Sequence, residues 1–121
     1  MDLQIKGKKA IMAGGSAGMG RATAERLAEA GVDLVITARR RERLEKAAGE
    51  ISAKYKVNVT PIVADSSKVE DRAKLLESCP DPDILAITIK PPAPNGDFLN
   101  VTPEIWRESI DSALIGPIEL L

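Results

Sequence analysis

The sequence Ala13-Gly14-Gly15-Ser16-Ala17-Gly18-Met19-Gly20 decides how this chain folds. It overlaps the end of a short apolar run, Lys9–Ala13, and leads into helix-forming residues 21–30. A strand, a glycine-rich turn and a helix in this order bind a pyrophosphate, because free N–H groups and the positive end of the helix dipole face the anion. We therefore predict a nucleotide site at this turn. The alternative is a tight loop that only joins a strand to a helix.

The residues of the turn have separate tasks in this prediction. Gly14 has no Cβ and lets the chain reverse at positive φ after the strand. Gly18 lets the backbone approach the phosphates, and Gly20 lets the helix pack close to the sheet. The backbone of Ala17 and Met19 belongs to the same site: the Met19 N–H is predicted to face the pyrophosphate while the Met19 side chain packs inward.

Bulk composition excludes several classes of protein. A chain of 121 residues with 44% hydrophobic and 29% charged residues suits one globular domain. The net charge of −1 and the lack of a Lys/Arg run argue against a nucleic-acid partner. No run approaches the roughly 20 apolar residues of a membrane span, so no membrane partner is expected. The single Cys79 cannot form an internal disulfide, which suits a reducing compartment and a cytoplasmic location.

The chain contains no histidine. This excludes histidine-based acid–base catalysis and Ser-His-Asp triads. One cysteine without histidine also leaves no ordinary zinc site, so no metal ligands are predicted. Any chemistry must come from a bound cofactor or from Tyr, Lys, Ser or carboxylate side chains.

Apolar runs and helical periodicities alternate along the whole chain. Strands are predicted over residues 9–13, 33–38, 57–64 and 84–89, and helices over 18–30, 40–55, 67–79 and 102–121. The third helix begins with a capping box at Ser67, and the fourth is capped by Thr102. Pro61 places the third strand at a sheet edge, and Pro117 predicts a kink in the last helix.

This βαβαβαβα order predicts an α/β fold with a parallel sheet and helices on both faces. Right-handed crossovers and the nucleotide turn after strand one favour a Rossmann-type, doubly wound sheet with strand order 3-2-1-4. Such a sheet continues beyond a fourth strand, so we expect residues 1–121 to be the N-terminal, dinucleotide-binding part of a larger protein. A chain that completes itself against a partner fits the same observations. We also predict that the chain forms a homo-oligomer through the last helix and the edge of strand four. The alternative is an autonomous flavodoxin-like domain.

Several segments, taken in chain order, resemble the short-chain dehydrogenase/reductase family, and within it bacterial 3-oxoacyl-[acyl-carrier-protein] reductase-like oxidoreductases. They are the Gly14, Gly18, Gly20 spacing, the pair Arg39-Arg40, Asp65, Asp83-Ile84-Leu85, Asp97-Phe98, and residues 102–106. The resemblance implies an oxidoreductase that transfers hydride between a nicotinamide cofactor and a small carbonyl or alcohol substrate. It also implies that the catalytic Ser and Tyr-x-x-x-Lys lie beyond this chain.

Three features depart from the family pattern. The only tyrosine, Tyr55, is followed by Val59 four positions later, so no catalytic residue is assigned. Residues 87–90, Ile-Thr-Ile-Lys, stand where the family has Asn-Asn-Ala-Gly, and Ala113 stands where it has an active-site Asn. We expect Thr88 to replace part of the lost hydrogen bonding and its strand to border the cofactor riboses. These departures leave open the alternative of a non-catalytic dinucleotide-binding or interaction module.

Charge at the end of strand two predicts which dinucleotide binds. An acidic residue there binds the ribose of NAD, but this chain has Ala38 followed by Arg39 and Arg40. A guanidinium clamps a 2′-phosphate, and a charge-assisted hydrogen bond contributes about 1.5–3 kcal/mol. We therefore predict NADP rather than NAD, with Arg39 the stronger candidate. The alternative is that both arginines are solvated charges at a helix start.

Three further residues take their roles from the resemblance. Ser16 is expected to donate to a phosphate; otherwise it is an ordinary turn serine. Asp65, with Ser66 beside it, resembles the acceptor of the adenine amino group; otherwise it belongs to a helix cap next to Ser67.

Overall fold

A computed structural model describes residues 2–89 and 98–121. Four parallel strands form one sheet: β1 Lys9–Ala13, β2 Asp33–Ala38, β3 Val59–Val63 and β4 Ile84–Ile87. Their order is β3-β2-β1-β4, which confirms the predicted topology. A flavodoxin-like sheet places strand three beside strand one, so that alternative is wrong. Residues 90–97, which include Lys90 and Asp97, lie outside the described residues.

The helices are α1 Gly18–Glu29, α2 Arg41–Tyr55, α3 Val69–Ser78, α4 Pro103–Ile110 and α5 Gly116–Leu120. A π-helical turn, Asp111–Ile115, joins α4 to α5, and a 3₁₀ turn, Phe98–Asn100, precedes α4. Each of the first two strands is followed closely by a helix, as parallel pairing requires. Within the described ranges, no helix has the length and apolarity to cross a membrane.

Buried side chains cover both faces of the sheet. Met12 and Ile36 face α1 and α2, where Leu44 and Ile51 fill the core. On the other face Ile11 packs in a smaller core with Leu75, Cys79 and Leu120. Strands buried on both faces read as continuous apolar runs, which is why β1 and β2 begin and end at the predicted residues. β3 lies at the edge of the sheet and pairs only with β2. Pro61 therefore has no second neighbouring strand to which its missing N–H would have to donate.

The predicted capping box of α3 is wrong. This helix begins at Val69, and its N-cap residue, Lys68, makes no side-chain cap. The Ser67 hydroxyl instead donates to Asp65 Oδ1 at 2.6 Å. Asp71 Oδ2 accepts from the Asp65 N–H at 2.8 Å. The first turn of α3 therefore stabilises the end of β3 rather than its own N-terminus.

The last helix is not a single α-helix. Thr102 Oγ1 accepts from the Ile105 N–H at 3.3 Å with Pro103 in the first turn, which confirms the predicted cap. The α-helical pattern then gives way to the π turn Asp111–Ile115 immediately before Pro117. Proline has no N–H, and its ring clashes with the carbonyl four residues earlier, so an unbroken α-helix cannot pass through it. The kink predicted at Pro117 is therefore present as a π turn.

Candidate functional site

The glycine turn lies at the carboxyl end of β1 and is anchored to β2. Gly14 and Gly18 adopt positive φ values of 96° and 57°, which side chains with a Cβ rarely tolerate. The N–H groups of Gly14 and Gly15 both donate to the Thr37 carbonyl, at 3.0 and 3.1 Å. The reversal predicted at Gly14 is therefore present and fixed to the neighbouring strand.

Gly14, Gly20 and Thr88 pack against one another at the start of α1. A Cβ built on Gly20 overlaps both the Gly14 carbonyl oxygen and Thr88 Oγ1, which confirms the predicted close packing of this helix. The Thr88 N–H donates to the Ala13 carbonyl at 2.9 Å, and Thr88 Oγ1 lies 3.4 Å from the carbonyl oxygens of Ala13 and Gly14. The Thr88 hydroxyl therefore ties the end of β4 to the glycine turn.

The N-terminus of α1 is open to an anion. Its N-cap residue, Ala17, has no side-chain cap, and no acidic residue lies in the first turn. The N–H groups of Gly18, Met19 and Gly20 donate to no described residue. A Cβ on Gly18 would meet nothing within 4 Å. These residues fit a pyrophosphate, because unsatisfied N–H groups and the helix dipole favour negative charge.

One detail of this turn was wrongly predicted. The Met19 side chain is 81% exposed rather than packed. Gly20, Ala24 and Ala28 are the buried residues of α1. The helix turns this small-residue stripe toward the sheet, so Met19 falls on the outer side.

An open depression of about 630 Å³ adjoins the turn, between α1 and α2. It is lined by Ser16, Ala17, Arg21, Arg40, Glu42, Arg43, Lys46 and Glu50. The structure therefore brings three predicted residues together: Ser16, Ala17 and Arg40. Sequence reasoning missed Arg43, although its position three residues after Arg40 places both on one face of α2.

The cations of this depression are not equivalent. Arg21 donates to Glu50 Oε2 at 2.5 Å and to Glu25 Oε1 at 3.2 Å. The hydrogen bond from Arg21 lowers the pKa of Glu50 below its ordinary value. Arg40 and Arg43 form no ion pair with a described residue. Arg21 therefore joins α1 to α2 through its ion pairs. The guanidinium groups of Arg40 and Arg43 have no carboxylate partner among the described residues.

Arg39 does not line the depression, and its charge acts on Asp65. Burial alone would raise the pKa of Asp65. Two hydrogen bonds, from the Ser67 hydroxyl and the Ser67 N–H, and the positive charges of Arg39 and Lys68 outweigh burial. The pKa of Asp65 is therefore below its ordinary value. The Asp65 carboxylate is therefore ionised beside Arg39 at the end of β3.

Asp65 and Ser66 form a second cluster rather than a wall of the depression. Asp65 Oδ1 accepts from the Ser67 N–H at 3.0 Å, so it closes a local turn and does not cap α3. The Ser66 carbonyl accepts from Arg72 at 2.7 Å. A Cβ on Gly116 would lie 2.8 Å from the same oxygen, so α5 packs directly on this loop. The helix-cap alternative for Asp65 is wrong, and its role toward adenine stays a prediction.

Tyr55 belongs to the core rather than to the site. It ends α2, is partly buried and packs against the core of the α1–α2 face. Lys54 Nζ lies 5.0 Å from the centre of its ring. Ala113, in contrast, lies exposed in the π turn.

A parallel sheet of order 3-2-1-4, with a glycine turn after its first strand, defines a Rossmann-type dinucleotide-binding fold. Ligands of this fold bind at the point where the strand order reverses, here between β1 and β4. Residues 8–121 match the family model described as short chain dehydrogenase. The chain belongs to this family.

Individual relatives agree with this assignment. The human protein "Dehydrogenase/reductase SDR family member 2, mitochondrial" is 29% identical over 121 residues, covering 97% of this chain and 43% of the human protein. L-sorbose reductase from Gluconobacter frateurii, solved with NADPH and L-sorbose, matches 99% of this chain and 47% of its own, with 28% identity and a TM-score of 0.91. A beta-ketoacyl-ACP reductase structure, described as putative, matches 96% of this chain and 46% of its own, with 28% identity and a TM-score of 0.86.

The chain spans less than half the length of these relatives. The similarity therefore establishes the family and the fold of this part of the sheet.

Proposed function

We propose that this chain binds NADP(H) as the dinucleotide-binding part of an oxidoreductase that transfers hydride between the nicotinamide and a carbonyl or alcohol substrate. The observation that carries the proposal is the pairing of an uncapped, acid-free N-terminus of α1 with a depression whose wall holds Arg40 and Arg43. The NADPH bound in L-sorbose reductase supports it, since that protein shares this part of the fold.

In this proposal the residues of the turn hold the phosphates. The N–H groups of Gly18, Met19 and Gly20 face the pyrophosphate, and the Ser16 hydroxyl donates to a phosphate oxygen. Gly14 sets the reversal that places these donors. When bound, the nicotinamide supplies the hydride chemistry, while the protein supplies binding and orientation.

The arginines select between the two dinucleotides. Arg40 lines the depression with Ser16 and Ala17, and the charge of Arg39 acts on Asp65 at the end of β3. In this proposal both guanidinium groups bind the 2′-phosphate. Asp65 would then accept from the adenine amino group with Ser66 beside it. A strand-end acid, which favours NAD, is absent from the described end of β2.

We further propose that residues 1–121 contribute no catalytic side chain of their own. Thr88 positions the glycine turn and borders the riboses, and the residues that move protons lie outside this chain. A cytoplasmic location fits the buried, unpaired Cys79. The alternative of a non-catalytic module is not supported by the matches above. Because the residues that move protons lie outside this chain, the purified chain should not oxidise NADPH above background with a panel of carbonyl compounds; turnover would contradict the proposal that residues 1–121 contribute no catalytic side chain.

Single arginine variants test the cofactor assignment. We expect Arg39→Ala and Arg40→Ala to weaken NADPH binding about ten- to hundredfold in calorimetric titrations, with little change for NADH, because only NADPH carries the 2′-phosphate. Arg26→Ala is the matched control, since Arg26 lies near the far end of α1 and pairs with Glu29. Equal losses for both dinucleotides, or a loss in the control, would contradict the assignment.

A further inference from the structure

The thioether of Met19 stands in solvent at the open end of α1. Met19 is the second residue of this helix, and its side chain is 81% exposed. Side chains of an α-helix tilt toward the N-terminus of the helix. That end holds the N–H groups of Gly18, Met19 and Gly20, which donate to no described residue. The exposed sulfur is therefore within one helical turn of unsatisfied donors.

Exposure distinguishes Met19 from the other methionine in the described part of the chain. Met12 is fully buried in the core that faces α1 and α2. Hydrogen peroxide oxidises a thioether by transferring one oxygen atom: an S–O bond forms, the O–O bond breaks, and sulfur gives up two electrons. The second oxygen keeps both protons of the peroxide and leaves as water. Because peroxide must reach the sulfur, Met19 is the reactive one of the two.

The oxygen of methionine sulfoxide takes the place of a glutamate oxygen. In both side chains the oxygen is separated from Cα by the same number of bonds, with Sδ standing where glutamate has Cδ. A glutamate in the first turn reaches the free N–H groups of a helix N-terminus and is favoured there by the dipole. α1 has no acidic residue in its first turn, and its N-cap residue, Ala17, has no side-chain oxygen. Oxidation of Met19 therefore supplies the acceptor that α1 lacks.

We propose that Met19 is a peroxide-sensitive modification site, whose sulfoxide oxygen binds the free N–H groups of α1 and competes with an anion for them. The unmodified thioether is a weak acceptor and leaves these donors open. The sulfoxide is returned to the thioether by reductases specific for it, so the modification is reversible.

The effect of this modification on the dinucleotide rests on the function proposed above. NADPH and NADH have the same pyrophosphate and differ at the 2′-phosphate. A sulfoxide at the pyrophosphate donors therefore weakens both to the same extent, whereas loss of Arg39 or Arg40 weakens NADPH alone. The two kinds of change are distinguishable in one titration assay.

Peptide mass spectrometry after timed exposure to hydrogen peroxide measures the modification itself. We expect Met19 to be oxidised about tenfold faster than Met12 or more, because access to the sulfur decides the rate. Hydrogen exchange of at least one amide among Gly18, Met19 and Gly20 should then slow about threefold or more, because a bonded N–H exchanges less readily than a solvated one. Met19→Leu is the matched control, since it keeps Met12 and Cys79. Equal oxidation of the two methionines, or unchanged exchange of all three amides, would overturn the proposal.

Calorimetric titration before and after oxidation, with the peroxide removed, measures the competition. The affinities of the parent chain for NADPH and for NADH should each fall about three- to tenfold, as occupation of one backbone donor implies. Enzymatic reduction of the sulfoxide should restore them. In Met19→Leu the affinities before and after peroxide should be equal, whatever their starting value. Met19→Gln carries a neutral oxygen at the sulfoxide position, so it should bind both dinucleotides more weakly than Met19→Leu without any peroxide.

The two sets of measurements separate this proposal from the proposed function. A parent chain that binds neither dinucleotide contradicts the cofactor site, while the oxidation rates and the amide exchange still decide whether the sulfoxide binds the donors. A loss confined to NADPH, an equal loss in Met19→Leu, or a Met19→Gln variant that binds as tightly as Met19→Leu would each overturn the competition proposed for the sulfoxide.

Discussion

Replacing Gly20 by alanine tests the close packing on which the glycine turn depends. The added Cβ would lie closer than 3.0 Å to three atoms: the carbonyl oxygen and carbon of Gly14, and Thr88 Oγ1. Two of these are backbone atoms of a turn that is itself bonded to Thr37, so they cannot move aside without breaking that anchor. Overpacking of this kind costs about 1–3 kcal/mol, a loss of about 4–12 °C in the melting temperature of a domain of this size.

Gly49→Ala is the matched control for this variant. Gly49 lies in α2, and a Cβ built on it meets nothing within 4 Å. Alanine should therefore stabilise the chain by about 0.5–1 kcal/mol through its helix propensity. Urea unfolding followed by circular dichroism measures both variants. If Gly20→Ala proves as stable as Gly49→Ala, the packing of α1 against the turn does not have the geometry described above.

Three further predictions concern polar side chains. Because its folded-state pKa is lowered, the Asp65 carboxylate stabilises the fold above its unfolded pKa, near 3.9, and this contribution is lost as the pH falls through the folded value. Asp65→Asn should therefore lose less stability than the parent in urea titrations from pH 6 to pH 3; identical profiles would count against the assigned contacts. Thr88→Val should cost about 0.5–1.5 kcal/mol by removing the hydroxyl at the turn, and Thr88→Ser should retain most of the stability; equal losses would assign the effect to the methyl group. Thr102→Ala should cost about 1 kcal/mol of unfolding free energy by removing the cap of α4, and an unchanged midpoint would show that this cap contributes nothing.

Much of the fold follows from local patterns, and the exceptions have identifiable physical causes. β1 and β2 are continuous apolar runs buried on both faces, so their ends coincide with the ends of the runs. The start of α3 was misplaced because Ser67 has two possible partners, the helix N–H groups and Asp65, and the sequence does not show which one is nearer. The π turn depends on Pro117 and on the contact of Gly116 with the loop after β3, which is a tertiary interaction.

Some residues of the candidate site could likewise be predicted from the sequence, and others could not. The positions of Gly14 and Gly20 were predictable, because a tight turn and a close helix contact each require a residue without a Cβ. Arg43 was missed because the depression forms only when α1 and α2 pack side by side. The separation of Arg39 from Arg40 likewise depends on where α2 begins, and a one-residue difference at a helix start turns a side chain by about 100°.

The central claim, that the open turn and the arginines beside it form an NADP(H) site, is tested most directly by calorimetric titration of the unmodified chain with NADPH and with NADH. The account predicts saturable NADPH binding at one site per chain and NADH binding at least tenfold weaker, as the loss of one charge-assisted phosphate contact implies. Equal affinities would contradict the role given to Arg39 and Arg40. Absence of binding to either dinucleotide would contradict the claim that the glycine turn of this chain is a working cofactor site.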